Sequence, residues 1–250
     1  MRIGGIIIEY LTKAQLYAKV GVCRKILKNA GLSAPFFIED ICRLCPEILI
    51  EYIPFKTNGL RGIVTLATEA EPTNCILINS RLTKEEQHFH SIHEFMHIIL
   101  HPNMDSKTFK CFDTIRPNQN GSIEWQANEG AAELIMPYKQ FIPLFLEMYN
   151  EYANYPDRWN LLYGRGDIAY ALGNYYGVSG SVIKNRISGL SYEIDQVRFG
   201  HSTIDNIKIL SNRKQKACGI ISTDYLTEMR KISVSKYYFN EPLEWNSVIA

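Results

Sequence analysis

Five of the chain's six histidines fall between His88 and His101, spaced H-x-H-x-x-H-E-F-M-H-I-I-L-H. At the centre, His93-Glu94-Phe95-Met96-His97 forms an H-E-x-x-H motif. Residues i and i+4 of a helix share one face, about a turn apart. His93 and His97 can then turn two imidazoles toward a single metal ion, with Glu94 beside the open coordination position. That arrangement suits a zinc hydrolase. It carries this meaning only if the segment is helical and a third ligand stands elsewhere in the chain.

The flanking residues predict the helix. Ile92, Phe95, Met96 and Ile99 follow i, i+3, i+4 and i+7, a buried stripe within a helix over Leu82 to Leu100. Thr83 is the expected N-cap, and Glu85 and Glu86 suit the positive end of the helix dipole. Pro102 disfavours helical geometry at His101, so the helix ends there. His101 is in register with His93 and His97, but at the helix end its expected role is that of a capping cation. His88 and His90 are expected at the surface or behind the ligands.

The candidates for the third ligand are Glu124, Glu129, Glu133, His90, His101, Asp105 and Asp113. Met104 to Gly121 reads as a polar loop. Ser122 then caps a helix over Ile123 to Met136, stopped by Pro137. At about 100° per residue, Ala127, Ala131, Leu134 and Ile135 form its small and apolar face. Glu124 falls within that arc and Asn128 at its edge, while Glu129 and Glu133 fall on the far side. Glu133 reads as a solvated charge. Because Ala127, Gly130 and Ala131 are small, this helix can approach a neighbour closely and carry Glu124 toward His93 and His97. Asn128 can then hydrogen-bond a liganding histidine.

Other elements must build the frame. Leu11 to Ala30 reads as a helix stopped by Gly31, and Pro35 to Leu44 as a shorter one with Pro35 in its first turn. Ile48 to Phe55, Leu60 to Ala67 (after the Asn58-Gly59 turn) and Cys75 to Ile78 read as a small three-stranded antiparallel sheet. Tyr138 to Tyr152 reads as helical, interrupted by Pro143. Residues 153–166 form a connection. Asp167 to Tyr176 and Gly180 to Leu190 read as two helices joined at Gly177-Val178-Ser179. Short strands are the reading at Ile220-Ile221 and from Ile232 to Phe239. The expected organisation is an N-terminal helical segment (1–34), a core (35–152), a helical subdomain (153–200) and a C-terminal extension (201–250), in an α+β fold.

Composition sets the class. Hydrophobic residues make up 46% and charged residues 21%, enough for a sizeable core. A net charge of +1 demands neither nucleic acid nor an anionic membrane as partner. The longest early apolar run, Gly4 to Ile8, is too short for a signal or a membrane span, so a cytoplasmic protein is expected. Six scattered cysteines then read as reduced thiols. Cys42-x-x-Cys45 lacks the second pair that a zinc ribbon needs.

The two motifs together resemble the ImmA/IrrE family of zinc metallopeptidases. That family shows H-E-x-x-H followed by E-x-x-A-N-x-F-A-A-x-L-L-M-P, and here Glu124-Trp125-Gln126-Ala127-Asn128-Glu129-Gly130-Ala131-Ala132-Glu133-Leu134-Ile135-Met136-Pro137 is similar to the second part. The resemblance covers roughly residues 35 to 190. It implies a zincin-like core, Zn2+ held by His93, His97 and Glu124, and Glu94 as catalytic acid/base. Gly130 stands where the family has Phe, which leaves room between the motif helices and bears on metal affinity. Ile135 replaces a Leu. Many members carry an N-terminal DNA-binding domain, for which the segment ahead of the core is too short. The resemblance further implies an intracellular protease that cleaves a helix-turn-helix repressor, often one from a mobile element or stress regulon. Related zinc peptidases add a His, Tyr or Arg to stabilise the oxyanion, and Tyr138 is the candidate for that role.

A different class of function remains in view. Leu172 to Ile187 has helix-turn-helix spacing, with Lys184 and Arg186 on the second helix. A DNA-binding or sensor protein, or a pseudoprotease that binds a repressor without cutting it, is the alternative. The near-neutral charge disfavours nucleic acid, and such spacing also arises from plain helix packing.

Overall fold

The computed structural model describes residues 2–3, 6–7, 10–114, 116, 119–155, 159 and 167–238. Most of the 153–166 connection, Phe239 and the end of the C-terminal extension lie outside these residues. A short antiparallel ribbon pairs Arg2–Ile3 (β1) with Ile6–Ile7 (β2). Helix Lys13–Asn29 (α1) follows, then Ile38–Leu44 (α2). Thr12 and Gln15 close α1 with a capping box. Phe37 is the N-cap of α2, so Pro35 precedes this helix and does not start it.

The sheet has four strands, not the expected antiparallel three. Ile48–Ile53 (β3), Leu60–Thr65 (β4), Asn74–Asn79 (β5) and Thr108–Phe112 (β6) lie in the order β3-β5-β4-β6. β4 pairs antiparallel with β5 and with β6, whereas β3 pairs with β5 in parallel. The short link at Asn58-Gly59 suggests a β3–β4 hairpin. Instead β5 is inserted between these strands, and residues 54–59 cross over its end. Asn79, the last residue of β5, holds that crossing: its Nδ2 donates to Leu60 O at 3.1 Å, and its Oδ1 accepts from Phe55 N at 3.5 Å. β6 lies within the expected polar loop. Its alternation turns Phe109 and Cys111 inward and leaves Thr108 and Lys110 outside.

Lys84–Leu100 (α3) carries the H-E-x-x-H motif. Thr83 accepts from Glu86 N, and Glu86 accepts from Thr83 N, a complete capping box. Gly121–Ile135 (α4) carries the second motif. Asn120, not Ser122, caps it, accepting from Ser122 N at 3.1 Å. Tyr138–Asn154 (α5) runs unbroken through Pro143. The proline removes one N–H from the ladder, while Phe141, Ile142, Phe145 and Tyr149 bury the helix on both sides of it. Ile168–Tyr176 (α6) and Gly180–Gly189 (α7) are joined by Gly177 at φ 65°, a left-handed position suited to glycine. Ser191–Arg198 (α8), Asn212–Ala217 (α9) and Tyr225–Tyr238 (α10) complete the described residues. The expected strand at Ile220-Ile221 is irregular, and Ile232 lies within α10. There Tyr225 packs edge-on against Phe145 and Tyr149, so the segment is held as a helix by aromatic burial.

One apolar cluster runs from Leu16 and Val20 of α1, through Ile76 and Ile78 of β5, to Ile183 of α7 and Tyr225 of α10. Beside it lies a buried charge network on the face of α4 opposite α3. Arg186 of α7 binds Glu129 Oε1 at 2.9 Å, Met136 O at 2.8 Å and Glu133 Oε2. Arg24 of α1 meets Glu133 Oε1 at 3.1 Å, and Tyr17 donates to Glu129. Glu133 is therefore buried and not the solvated charge expected, because α1 and α7 cover a face that one helix's periodicity cannot reveal. Arg186 is likewise turned inward, away from any phosphate. Among the described residues, no helix is long and apolar enough to cross a membrane.

Removing one partner from a buried charge cluster strands the others. Arg186→Ala is expected to cost about 3–5 kcal/mol in equilibrium urea unfolding. Lys184→Ala, on the exposed side of the same helix, is expected to change stability by less than about 0.5 kcal/mol. Equal small losses would contradict the hub role of Arg186.

Candidate metal centre

α3 and α4 meet along small residues. Ala127 and Ala131 are fully buried, and a Cβ on Gly130 would come 3.1 Å from Met96 Sδ and 3.2 Å from Leu100 Cδ1. Met96 and Leu100 thus occupy the space beside Gly130. The close approach brings Glu124, in the first turn of α4, to the middle of α3. Glu124 Oε2 lies 3.5 Å from His93 Nε2, and Oε1 lies 4.0 Å from His97 Nε2. The two Nε2 atoms are 3.2 Å apart.

The second nitrogen of each ring decides what the first can do. His93 Nδ1 lies 3.0 Å from Asn128 Oδ1, which can only accept, so Nδ1 donates. His97 Nδ1 lies 3.1 Å from His101 Nδ1. Where His97 Nδ1 is the donor of that pair, both Nε2 atoms present lone pairs toward each other and toward Glu124. Such a cluster of buried lone pairs repels itself until a cation stands among them. The ligand atoms of His93, His97 and Glu124 all lie within 4.8 Å of one another. Two neutral imidazoles and one carboxylate fit a divalent metal of the zinc type.

Glu94 stands next to this cluster and is fully buried. Among the described residues neither carboxylate oxygen has a hydrogen-bond partner. Burial pushes its carboxyl well above the ordinary range, and Glu124 adds to the rise. The carboxylate fits because β4 offers Gly62 at this point: a Cβ there would overlap Oε1. Burial also holds His97 well below its ordinary value, with His93 and His101 contributing.

His101 differs from its expected role. It is buried, and burial holds its imidazole down to about 4, so it is no capping cation. It stands behind His97 and fixes that ring. His90 faces the cleft, held down to about 3 first by burial and then by His93. His88 is neither a surface group nor a support for the ligands: its ring nitrogens lie 2.9 Å from Gly177 O and 3.1 Å from Phe36 O. It ties α3 to the α6–α7 turn. Tyr138 stacks on Tyr17 at 5.5 Å, and its N–H binds Glu133, at the far end of α4 from Glu124. The structure does not bring it to the site.

β6 covers the cluster. The Phe109 ring stacks on His97 at 4.5 Å and 15°. Two residues on, Cys111 Sγ lies 3.5 Å from His90 Nδ1, and its ligand atom lies within 4.8 Å of those of His93 and Glu94. A cavity of about 410 Å³ opens beside them, lined by Arg61, His90, Cys111, Trp125, Asn128 and Asn185 among others. Gly62, Phe109 and Cys111 stand at the site although neither motif contains them. The sequence signals for them are a lone glycine inside a strand pattern and the alternation Thr-Phe-Lys-Cys-Phe.

The family described as Peptidase_M78, IrrE N-terminal-like domain, matches residues 45–188. No curated protein matches the chain.

Asn128 touches a candidate ligand ring without facing the metal. Asn128→Ala is expected to lower affinity for a divalent metal roughly 10- to 100-fold, as loss of an outer partner does. A competition titration with a chromophoric chelator measures this, and unchanged affinity would show that the His93 contact is incidental.

Proposed function

The chain belongs to the Peptidase_M78 family, and from that premise we propose that it is a zinc-dependent endopeptidase with His93, His97 and Glu124 as metal ligands and Glu94 as acid/base. The observation that carries this reading is the convergence of two lone-pair imidazoles and one carboxylate next to a buried, unpartnered second carboxylate. A zinc ion held by His93, His97 and Glu124 would supply Lewis acidity there, lowering the pKa of a water toward neutrality and polarising a carbonyl oxygen.

The chain's own groups do the rest. Glu94 takes a proton from the attacking water at a carboxylate oxygen and passes it to the leaving amine nitrogen. Its full burial keeps bulk water from competing for that proton. Asn128 and His101 keep His93 and His97 in the tautomers that bind metal. Gly62 leaves the space in which the Glu94 carboxylate sits. Phe109 covers one side of the site, and the cavity lined by His90, Cys111 and Asn128 gives a peptide its approach.

The substrate in this proposal is a cytoplasmic helix-turn-helix repressor from a mobile element or stress regulon. What supports it is the family resemblance of the two motifs. The alternative of a DNA-binding protein loses one of its two basic contacts, since Arg186 is turned into the core.

Metal analysis and proteolysis test the mechanism together. Glu94→Gln is expected to retain about one zinc per chain and to abolish cleavage of a helix-turn-helix repressor that the wild type cuts. His97→Ala is expected to lose the zinc. Equal cleavage by wild type and Glu94→Gln would overturn the assignment of Glu94. Gly62→Ala, by displacing the Glu94 carboxylate about 1 Å, is expected to lower kcat by on the order of 100-fold while the zinc stays bound.

A further inference from the structure

We infer that the cavity framed by the first turns of α1, α4 and α9 is a substrate subsite of the proposed peptidase, taking a large apolar side chain of the peptide with acidic residues beside it. The inference rests on the peptidase reading above and adds to it the chemical class of the sequence that is cut.

The cavity measures about 640 Å³, within the range of about 300–1,000 Å³ found for ligand sites. It shares a wall with the cavity beside the metal centre, since Trp125 and Glu129 line both. Trp125 is half-buried and follows the candidate ligand Glu124 directly in α4. A peptide laid along the metal centre therefore meets the second cavity on passing the Trp125 indole. This shared wall favours a peptide as the occupant.

The walls are held before any ligand arrives. Lys13 Nζ lies 2.7 Å from Gly189 O and 2.9 Å from Glu193 Oε1. The same carboxylate oxygen accepts from Leu210 N at 3.0 Å. One buried ion pair thus ties the start of α1, the end of α7, α8 and the segment ahead of α9. A preformed cavity loses little freedom on binding.

The lining sets the chemistry. Tyr10, Leu11, Trp125, Ile209 and Leu210 make the interior apolar. The charges at its floor are already paired: Lys13 with Glu193, and Glu129 with Arg186. The open side is basic. Arg213 and Lys214 line it and are exposed, and Lys208 and Lys216 flank them. Between Asp205 and Asp224 the chain has these four cations and no acid. An apolar interior with a cationic rim accepts a large hydrophobic side chain flanked by Asp or Glu, and disfavours one flanked by Lys or Arg.

Cleavage of a proteome-derived peptide library by the zinc-loaded full chain tests this. Wild type is expected to cut peptides enriched in Phe, Tyr, Trp, Leu or Met at one fixed position away from the scissile bond, with Asp or Glu enriched next to it. A quenched fluorescent peptide of the enriched sequence then tests the walls. The double charge reversal Arg213→Glu with Lys214→Glu is expected to raise KM about tenfold with kcat little changed, and replacing the peptide's acids by Lys is expected to restore KM. Ala14→Trp places bulk at the exposed start of α1 that lines the cavity. It is expected to raise KM for that peptide and not for one with Gly at the apolar position. Cleavage without a preference at any such position, or a KM unmoved by both variants, would overturn the subsite and leave the peptidase reading intact. Absence of all cleavage by the zinc-loaded wild type would overturn both.

Discussion

The distance between α3 and α4 is the constraint on which the candidate site depends. A third ligand from a separate helix reaches the two histidines only if the helix axes can come close. Ala127, Gly130 and Ala131 permit this from one side, and Met96 and Leu100 fill the contact from the other. A bulky residue at Gly130 would have to displace Met96 or Leu100, or push the helices apart. The packing at Gly130 is complementary, with Met96 and Leu100 in close contact.

The opposite face of α4 is fixed by different physics. There Glu129 and Glu133 point into a layer formed by α1 and α7, where Arg24, Arg186 and Tyr17 receive them. Apolar packing alone would let α4 slide or rotate along α3 with little penalty. Charges buried in fixed hydrogen-bonded geometry do not allow that, because each displaced group loses its partner in a low-dielectric interior. α4 is thus held between a contact that sets closeness and a network that sets register. Glu124 owes its position to both.

Much of this could be read from residues in order. The bounds of α3, its Thr83 cap and the two helices flanking Gly177 follow from periodicity and local capping, which act over one or two turns. The face argument for Glu124 and Asn128 also works, because one helix's geometry fixes which residues point together. Other features depended on partners distant in the chain. Glu133 and Arg186 look solvated until α1 and α7 are packed around them. His101 looks like a helix-end cation until β6 brings Phe109 over it. β6 itself is only five residues long and lies in a polar stretch, so its alternation carries little weight alone. The antiparallel expectation fails for β3 because turn residues report how sharply the chain bends, not which strand comes to lie between.

That last point bears on how the molecule reaches its native state. β3 and β4 are joined by six residues containing Asn58-Gly59, a combination that favours immediate hairpin closure. The native sheet instead requires β5, formed later in the chain, to occupy the place between them. A chain that zips the nearer hairpin first has built a competitor and must undo it before β5 can enter. Asn79 is the residue that rewards the correct order, since its amide can bridge Phe55 and Leu60 only once β5 is inserted. The side chain that fastens the finished sheet therefore also distinguishes it from a β3–β4 hairpin.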